Sequence, residues 1–527
     1  MPPHLIKTTI AGTLTLAWTL AAAQDAAPPA PPDFKPTAGC ETVEGYDPHW
    51  ATHGDDYGLG GRPAARKPKA ARQQKERPEY IWGFYQMHVH EGTLYATFGG
   101  ASRKGVTPGA LVMLDADTLR YRDAIPLPFA AHALSVDRHG RHAIATHTAA
   151  NAFSIIDLER GSADCRKADT HLNGVELKGR YVRLDEQGNF YINYNGFGQE
   201  GASAVVMKYA PDGEHARGFI PQPTGAGLVI PLAYLDGKVL SGNRALQSVD
   251  PANGAVSTLA RLDDDSNIYN YVAGPGKRVL GSDNNIGARP NLVLIDPETG
   301  THRGLFTGIG AVEVAYLPEA GQAFSTNFNG HSVTVAALPQ DASAFRPGQF
   351  VNIRFAGKPA TLAVRRTRQG TDVFVSEKYW DKENATLGAQ LRKIHIAASV
   401  QGIDGIERPG ACTISTFDMK KRTVSAPRPC PLLDERASYQ LALDTTRAAL
   451  KEGRGYQKKI DAELPRLRAE LHRARQKVEK DPSDQNRQAV DKLQKDLDAQ
   501  QHFGRYLERN RVDGEAGLQK IRQLLGG

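Results

Sequence analysis

Polar side chains suited to ligand binding recur at the ends of short apolar segments along this 527-residue chain. Amides can hydrogen-bond a polar ligand, an arginine or lysine can bind an anion, and neighbouring aromatic rings offer stacking surfaces. The alternative is that these residues only form the turns that follow each segment. We predict a ligand-binding site made of seven of them: Asn195, Arg244, Asp283, Asn284, Asn327, Glu377 and Lys378.

Two further groups of residues have the types that metals prefer. His88 and His90 are spaced to lie on one face of a strand, and a third ligand would have to come from His132 or His147. The acidic run 263–265 has the oxygen ligands of a calcium site. We favour packing between strands for the histidines and a plain turn for the aspartates, and we predict neither a metal site nor a cofactor.

Familiar catalytic motifs are missing from the sequence. It has no G-x-S-x-G elbow, Walker loop, H-E-x-x-H pair or C-x-x-C-H haem attachment site. We therefore predict no catalytic residue.

The four cysteines predict two disulfides. Cys412 and Cys430 flank a short strand-turn-strand segment and are expected to pair, which leaves Cys40 to pair with Cys165. Because no close C-x-x-C pair exists, a zinc ribbon is not expected. Disulfides of this kind are typical of proteins in oxidising compartments.

From residue 80 onward, short apolar or alternating runs are separated by Gly, Asp, Asn and Pro, as in strands joined by turns. One apolar strand recurs and ends at Asp115, Asp157, Tyr209, Asp250, Asp296, Ala337 and His395. A period of about 40–50 residues with four short strands per unit is typical of a β-propeller. The seven copies predict a mainly β fold, with a seven-bladed β-propeller over residues 80–432.

Part of this repeat resembles a known family. Residues 324–327 (FSTN) with 332–335 (SVTV), and residues 143–146 (AIAT) with 153–157 (FSIID), are similar to degenerate Y-V-T-N…S-V-x-V-I-D repeats. Residues 292–300 match the end of that repeat. The chain thus resembles the YVTN-type, YncE-like exported seven-bladed propellers over about residues 80–425. The resemblance implies the fold, and it implies hydrogen-bonding rather than catalytic roles for the Asn and Thr residues.

The N-terminal 79 residues have two parts. Lys7, an apolar run over residues 8–20 and three alanines predict a signal peptide over residues 1–23. The apolar run is too short to span a bilayer comfortably, so we expect a periplasmic mature chain without a membrane span. Residues 24–79 form a Pro/Ala-rich and basic linker, with seven Lys or Arg and one Glu between Arg62 and Arg77. We interpret the basic stretch as a solvated linker, with a polyanion-binding arm as the alternative.

Residues 433–527 have a helical pattern. An apolar stripe at Ile460, Leu464, Leu467, Leu471 and Val478 is interrupted near Pro482 and resumes at residues 490, 493 and 497. This predicts an α-helical, coiled-coil hairpin, in which Pro465 either kinks the first helix or marks its start, so that the firm coiled coil begins near Arg466. A short third helix is expected from Glu515 to Leu525. Because the stripe is narrow, we expect an arm that projects from the propeller. A hairpin packed on itself is favoured, and a hairpin that binds a coiled-coil partner through residues 433–527 is the alternative.

These observations favour an exported, non-enzymatic propeller that binds a small polar ligand or a protein in the cell envelope. One alternative is a propeller-type hydrolase or lactonase that uses Glu377, Lys378 or a histidine at the central channel. Another is a single-stranded nucleic-acid-binding propeller that uses the basic arm and channel aromatics. The net charge of +7 is small for this length, and nucleic acid is not the favoured partner.

Overall fold

The computed structural model describes residues 33–34, 37–38, 40, 80–102, 109–168, 171–172, 175–195, 205–214, 216–219, 231–263, 266–346, 348–378, 390–398, 411–419 and 421–526. The predicted signal peptide and the basic stretch lie outside these residues. Two short strands precede the blades, namely β1 (Asp33–Phe34) and β2 (Thr37–Ala38).

Seven antiparallel sheets follow one another along the chain and confirm the seven-bladed β-propeller. In each blade the first strand lines the central channel and the fourth lies at the periphery. Blade 1 contains β3 (Tyr80–His90), β4 (Thr93–Ser102), β5 (Gly109–Asp115) and β6 (Tyr121–Leu127). Blade 2 contains β7 (Ala133–Val136), β8 (His142–His147), β9 (Ala152–Asp157) and β10 (Ser162–Lys167). A small hairpin of β11 (His171–Leu172) and β12 (Val175–Glu176) follows it.

The next three blades repeat this plan. Blade 3 contains β13 (Lys178–Leu184), β14 (Phe190–Asn195), β15 (Val205–Tyr209) and β16 (Ala216–Phe219). Blade 4 contains β17 (Leu232–Leu235), β18 (Lys238–Ser241), β19 (Ala245–Val249) and β20 (Val256–Arg261). Blade 5 contains β21 (Ile268–Ala273), β22 (Val279–Asp283), β23 (Leu292–Ile295) and β24 (His302–Leu305).

The last two blades lead into the helices. Blade 6 contains β25 (Ala311–Leu317), β26 (Gln322–Asn327), β27 (Ser332–Ala337) and β28 (Phe350–Arg354). Blade 7 contains β29 (Lys358–Thr367), β30 (Gly370–Lys378), β31 (Gln390–Ala397) and β32 (Cys412–Asp418). Three two-residue strands follow, namely β33 (Thr423–Val424), β34 (Arg428–Pro429) and β35 (Leu432–Leu433). The helices are α1 (Glu435–Lys480) and α2 (Asp484–Leu524).

Segments outside the blades add strands to the periphery. β1 pairs with β16 of blade 3, β2 pairs with β10 of blade 2, and β35 pairs with β28 of blade 6. The disulfides Cys40–Cys165 and Cys412–Cys430 confirm the predicted pairing. They indicate a non-cytoplasmic location, because the cytoplasm keeps thiols reduced.

Blades 1 and 7 close the ring by packing, since each is built from its own continuous stretch of chain. The rings of Phe84 and Phe417 lie 6.2 Å apart in a core that both blades share. Lys393 Nζ of blade 7 donates to the backbone oxygens of Ala116 at 3.0 Å and Asp117 at 2.6 Å. The junction therefore combines an apolar core with polar contacts near its surface.

A buried carboxylate organises the polar part of this junction. Asp372, only 1% exposed, lies 2.7 Å from Arg365 Nη2, 3.0 Å from Lys393 Nζ and 2.8 Å from His395 Nδ1. Arg365 also pairs with Asp117 of blade 1. Asp372 thus orients the cationic side chains that reach from blade 7 to blade 1.

The two helices form the predicted hairpin, with two corrections. α1 begins at Glu435, where the Asp434 side chain accepts a hydrogen bond from the Ala437 N–H at 2.7 Å. It continues through Pro465, so the alternative that Pro465 marks the start of the helix is wrong. The predicted third helix is the last part of α2, which runs continuously to Leu524. None of the helices in the described residues is both long enough and apolar enough to cross a lipid bilayer.

The hairpin is joined to the propeller at its base. Tyr439 of α1 stacks on Phe306 at 5.8 Å and contacts Phe350 at 6.2 Å, and Ile521 of α2 is fully buried in the same core. A Cβ on Gly517 would lie 2.7 Å from the Ala288 backbone nitrogen, so α2 touches blade 5 at backbone distance. The expectation of an arm with little contact to the propeller is wrong, because the narrow stripe describes only the distal half of the hairpin.

Candidate ligand-binding site at the channel mouth

Five channel-lining strands carry a β-bulge, which lies close to the first residue in four of them and near the middle of the longer β3. The pairing register shifts between residues 84 and 87, 179 and 182, 268 and 270, 311 and 314, and 359 and 362. A bulge interrupts the in-and-out alternation of side chains and can re-aim them. In blades 1, 3, 5, 6 and 7, side chains are thereby turned into the channel mouth.

Each bulge is held by a polar side chain of the neighbouring second strand, which accepts a hydrogen bond from the bulged N–H. The N–H groups and acceptors are Gln86 with Thr97 (3.0 Å), Tyr181 with Asn193 (2.7 Å), Asn270 with Ser282 (3.1 Å), Glu313 with Thr326 (3.0 Å) and Thr361 with Ser376 (3.1 Å). Two of these hydroxyls donate onward to the next blade, from Ser282 to the Val312 oxygen and from Thr326 to the Ala360 oxygen, both at 3.1 Å. The bulges are therefore fixed within and between blades.

The bulges surround a cavity of about 290 Å³, which we call the channel-mouth cavity. Its bulge residues are Tyr85, Gln86, Arg180, Tyr181, Tyr269, Val312, Glu313, Ala360 and Thr361. The remaining lining residues are His132, Asn284, Phe328, Asn329, Lys378 and, from α2, Tyr506. Many of these side chains are aromatic, with a few charged groups among them.

Lys378 is the first of two cations in this cavity. Its Nζ lies 5.3 Å from the ring centre of Tyr85 and 5.7 Å from that of Phe328, within the range of cation–π attraction. The ion pairs among the described residues do not include Lys378. Burial, with the nearby charges of Arg180 and Lys358, lowers the pKa of Lys378 to about 8.

Arg180 is the second cation. Its guanidinium carbon lies 5.6 Å from the ring centre of Tyr181 and 5.9 Å from that of Tyr269. Its Nε donates to His132 Nε2 at 3.0 Å, which requires a neutral His132. Burial and the charges of Arg180 and Lys378 hold the pKa of His132 well below its usual range, in agreement with this role. Arg180 is thereby fixed in place while remaining charged.

Glu313 is the acidic group of the cavity. It is 4% exposed, and Gln86 Nε2 lies 3.4 Å from its Oε2, while Asn270 donates to its Oε1. Burial raises the pKa of Glu313 to about 7, although the Arg183 charge acts in the opposite direction. Near neutral pH this carboxyl group is therefore only partly ionised, and the cavity keeps an excess of positive charge.

The helical hairpin covers the mouth. Tyr506 of α2 lines the channel-mouth cavity together with the bulge residues. The segment around it is tied to the propeller by Arg289, whose Nη2 lies 3.6 Å from Asp513 Oδ2. Gly514 allows α2 to approach α1, since a Cβ there would lie 2.9 Å from Leu450 Cδ2. The cavity is thus walled by both the propeller and the hairpin.

The structure brings two of the seven predicted site residues, Asn284 and Lys378, into this cavity. Arg244 does not line it, and Asn195 ends β14 with a side chain outside the described part of the chain. The other three are buried in hydrogen bonds within the blades.

The contacts of those three side chains are internal. Asp283 accepts from the Asn267 N–H at 3.1 Å, and burial raises the pKa of Asp283 to about 6. Glu377 accepts from the Gly357 N–H and from Arg392 Nε, both at 2.6 Å. Asn327 donates to Ser332 Oγ at 3.0 Å and to Thr334 Oγ1 at 2.9 Å, and it accepts from Asn291 at 2.7 Å.

Contacts or burial account for three of the four histidines of the considered metal site. His147 lies 2.7 Å from Ser154 Oγ, and His132 is bound to Arg180. Burial lowers the pKa of both His88 and His147 to about 4, so both are neutral at physiological pH. Among the described residues, no three His, Cys, Asp or Glu side chains are grouped to hold a metal ion. In the acidic run, residues 264 and 265 lie outside the described part.

Similarity to known proteins is limited to solved structures. No family model matches the chain, and neither does any curated protein. Among solved structures, the chain is similar to hydrazine synthase of Kuenenia stuttgartiensis, with 12% identity over 60% of this chain and 98% of that one and a TM-score of 0.45. Dihydro-heme d1 dehydrogenase NirN is similar at 10% identity over 71% and 79%, with a TM-score of 0.39. Hsv2 of Kluyveromyces lactis is similar at 7% identity over 66% and 99%, with a TM-score of 0.41.

Proposed function

We propose that this protein is an exported, non-enzymatic propeller that binds a small anion in the channel-mouth cavity. The observation that carries the proposal is the enclosure of Arg180 and Lys378 in one aromatic cavity, where their charges repel each other. Repulsion between two cations that line one cavity destabilises a protein. A bound anion would offset this repulsion and accept charge-assisted hydrogen bonds from both groups.

The surroundings of the two cations support the same assignment. Asn284, Asn329 and Thr361 add neutral hydrogen-bonding groups to the lining, and the fixed bulges reduce the conformational entropy lost on binding. Phe328 and the tyrosines provide flat apolar walls against which a ring can pack. A small anion that carries a planar apolar group therefore matches the cavity.

The test is a calorimetric titration with phenyl phosphate. We expect binding to the wild type and at least a tenfold loss of affinity in Lys378→Met, because a buried charged hydrogen bond contributes roughly 1.5–3 kcal/mol. Arg244→Met is the matched control, since Arg244 belongs to the same predicted rim but does not line the cavity. Equal affinity of the wild type and Lys378→Met for phenyl phosphate would overturn the proposal.

Export to the periplasm and membership of the YVTN-type, YncE-like family belong to the proposal as well. The predicted signal peptide and the two disulfides support export. The repeat positions 324–327 and 332–335 lie on β26 and β27, where Asn327 and Thr334 join the strands as the resemblance implies. Fractionation of the source cells with a tagged chain tests the location, and recovery of the tag only from the cytoplasm would contradict it.

A hydrolase of the lactonase type is the second candidate. The observation that favours it is that Glu313, with a pKa of about 7, lines the same cavity as Lys378, with a pKa of about 8. Groups that titrate near neutral pH are suited to general acid–base catalysis. Hydrolysis of δ-valerolactone that is lost in Glu313→Gln would support this candidate, and a rate equal to that of buffer would exclude it for this substrate.

A further inference from the structure

A second cavity adjoins the channel-mouth cavity. It lies between the helical hairpin and the propeller, has a volume of about 450 Å³ and is called here the hairpin cleft. Asn329 and Tyr506 line both cavities. Lys358 lines the cleft, while its Nζ lies 5.2 Å from the ring centre of Phe328, which lines the channel-mouth cavity. The two cavities therefore meet at a shared wall.

The interior of the hairpin cleft differs in chemistry from the channel-mouth cavity. Apolar side chains of both helices, such as Leu450 and Leu507, supply most of its lining surface, and charged side chains such as Arg454 also line it. Phe503 also lines it and is 38% exposed, which is unusual for so large an apolar side chain. Its ring stacks on Tyr506 at 6.2 Å with an angle of 16° between the planes. An apolar surface thus continues from the shared wall into the cleft.

We infer that the protein binds an amphipathic anion, whose charged head lies in the channel-mouth cavity and whose apolar tail lies in the hairpin cleft. The inference rests on the proposed function, since it uses Arg180 and Lys378 for the head. It names the ligand class more narrowly, as a phosphate or carboxylate that carries an alkyl or acyl chain. Lys358 stands at the junction of the two cavities, where the head and the tail would be joined.

The physical reason for a tail lies in the exposed apolar surface. Contact between apolar surface and water is unfavourable. An alkyl tail bound in the hairpin cleft would remove both its own surface and that of Phe503 from water. The charges of the channel-mouth cavity cannot attract such a chain, so affinity for the tail depends on the cleft alone. Head and tail binding can therefore be separated by substitution.

The experiment measures the affinity of the full-length protein for inorganic phosphate, butyl phosphate and octyl phosphate. The alkyl phosphates are kept below their critical micelle concentrations. We expect affinity to rise with chain length, by up to about fourfold for each methylene group that is fully buried. Phe503→Ser should weaken octyl phosphate binding at least fivefold and leave inorganic phosphate unchanged. Val512→Ser is the matched control, because Val512 is 52% exposed on the same helix and does not line the cleft.

The variants also separate failure of the inference from failure of the proposed function. If phosphate binding depends on Lys378 but the octyl chain adds no affinity, the tail is overturned and the proposed head site stands. If octyl phosphate binds equally to the wild type and to Lys378→Met, the head site and the amphipathic ligand are both overturned. A chain-length effect that Phe503→Ser leaves unchanged would also overturn the tail assignment.

Discussion

Tyr506, in the second C-terminal helix, lines the same cavity as Lys378, at the end of a blade 7 strand. The helical hairpin is therefore part of the candidate site and not a separate arm. Because the hairpin is attached at one end of the propeller channel, the cavity at that end is partly covered. The following predictions test the cavity, its cover and the ring that supports both.

The hairpin should contribute to the stability of the propeller through its base. Ile521 is fully buried with Phe306 and Tyr439, so Ile521→Ala removes apolar contacts and leaves a cavity. We expect a loss of about 2–5 kcal/mol in the free energy of unfolding, measured by chemical denaturation. Val512→Ala, on the exposed side of the same helix, should change it little. If Ile521→Ala and Val512→Ala have the same free energy of unfolding, the base of the hairpin is not packed on the propeller.

Lys378→Met should stabilise the empty protein while weakening anion binding. The pKa of Lys378 lies below the 10.5 of an unperturbed lysine, at about 8, so proton binding favours the unfolded chain at any pH below about 10. At neutral pH the substitution should raise the free energy of unfolding by about 1–3 kcal/mol. As pH rises from about 8 to about 10, the free energy of unfolding of the wild type should rise toward that of the variant. The variant lacks this titration. A variant less stable than the wild type at neutral pH would contradict this account of Lys378.

Anion affinity should fall as pH rises. Above a pKa of about 7 Glu313 becomes negatively charged, and above a pKa of about 8 Lys378 loses its positive charge, so both changes weaken attraction for an anion. Arg180 and Arg183 stay charged throughout, which leaves some affinity at high pH. The measurement is the affinity for benzenesulfonate, which keeps one negative charge from about pH 6 to about pH 9. Glu313→Gln should remove only the fall in affinity near pH 7. If the pH dependence of affinity in this variant equals that of the wild type, Glu313 does not contribute to it.

The junction between blades 1 and 7 should depend on Asp372. Replacing it by Asn leaves Arg365, Lys393 and His395 without their common carboxylate in a buried setting. Removing one partner of a buried ion pair typically costs about 3–5 kcal/mol, and we expect a loss of this size in thermal or chemical unfolding. Asp123→Asn, at an exposed position of blade 1, is the matched control. Equal effects of the two substitutions would contradict the role of the junction.

The fold was largely predictable from the sequence, because each blade repeats one strand pattern. The recurring apolar strand that ends at Asp115 and Asp157 corresponds to β5 and β9, the third strands of their blades. The disulfides were predictable since Cys412 and Cys430 flank a short strand pair. Periodicity and spacing are local signals, and they suffice where the structure repeats locally.

The cavity was only partly predictable. The ends of the second strands contributed Asn284 and Lys378, but Asn327 and Glu377 are turned into the blades by hydrogen bonds that the sequence does not show. The bulge residues were missed, although pairs such as Arg180-Tyr181 interrupt the apolar alternation of the first strands. The place of Tyr506 depends on how the hairpin packs, which is a long-range property that no local pattern encodes.

The most direct test of the central claim is a crystal structure of the wild type soaked with tungstate, an anion whose tungsten scatters anomalously. We predict an anomalous peak in the channel-mouth cavity, with tungstate oxygens within hydrogen-bonding distance of both Lys378 Nζ and the Arg180 guanidinium. An otherwise identical soak of Lys378→Met should lose this peak. Strong peaks elsewhere on the protein with an empty channel-mouth cavity would contradict the claim that Arg180 and Lys378 form an anion site.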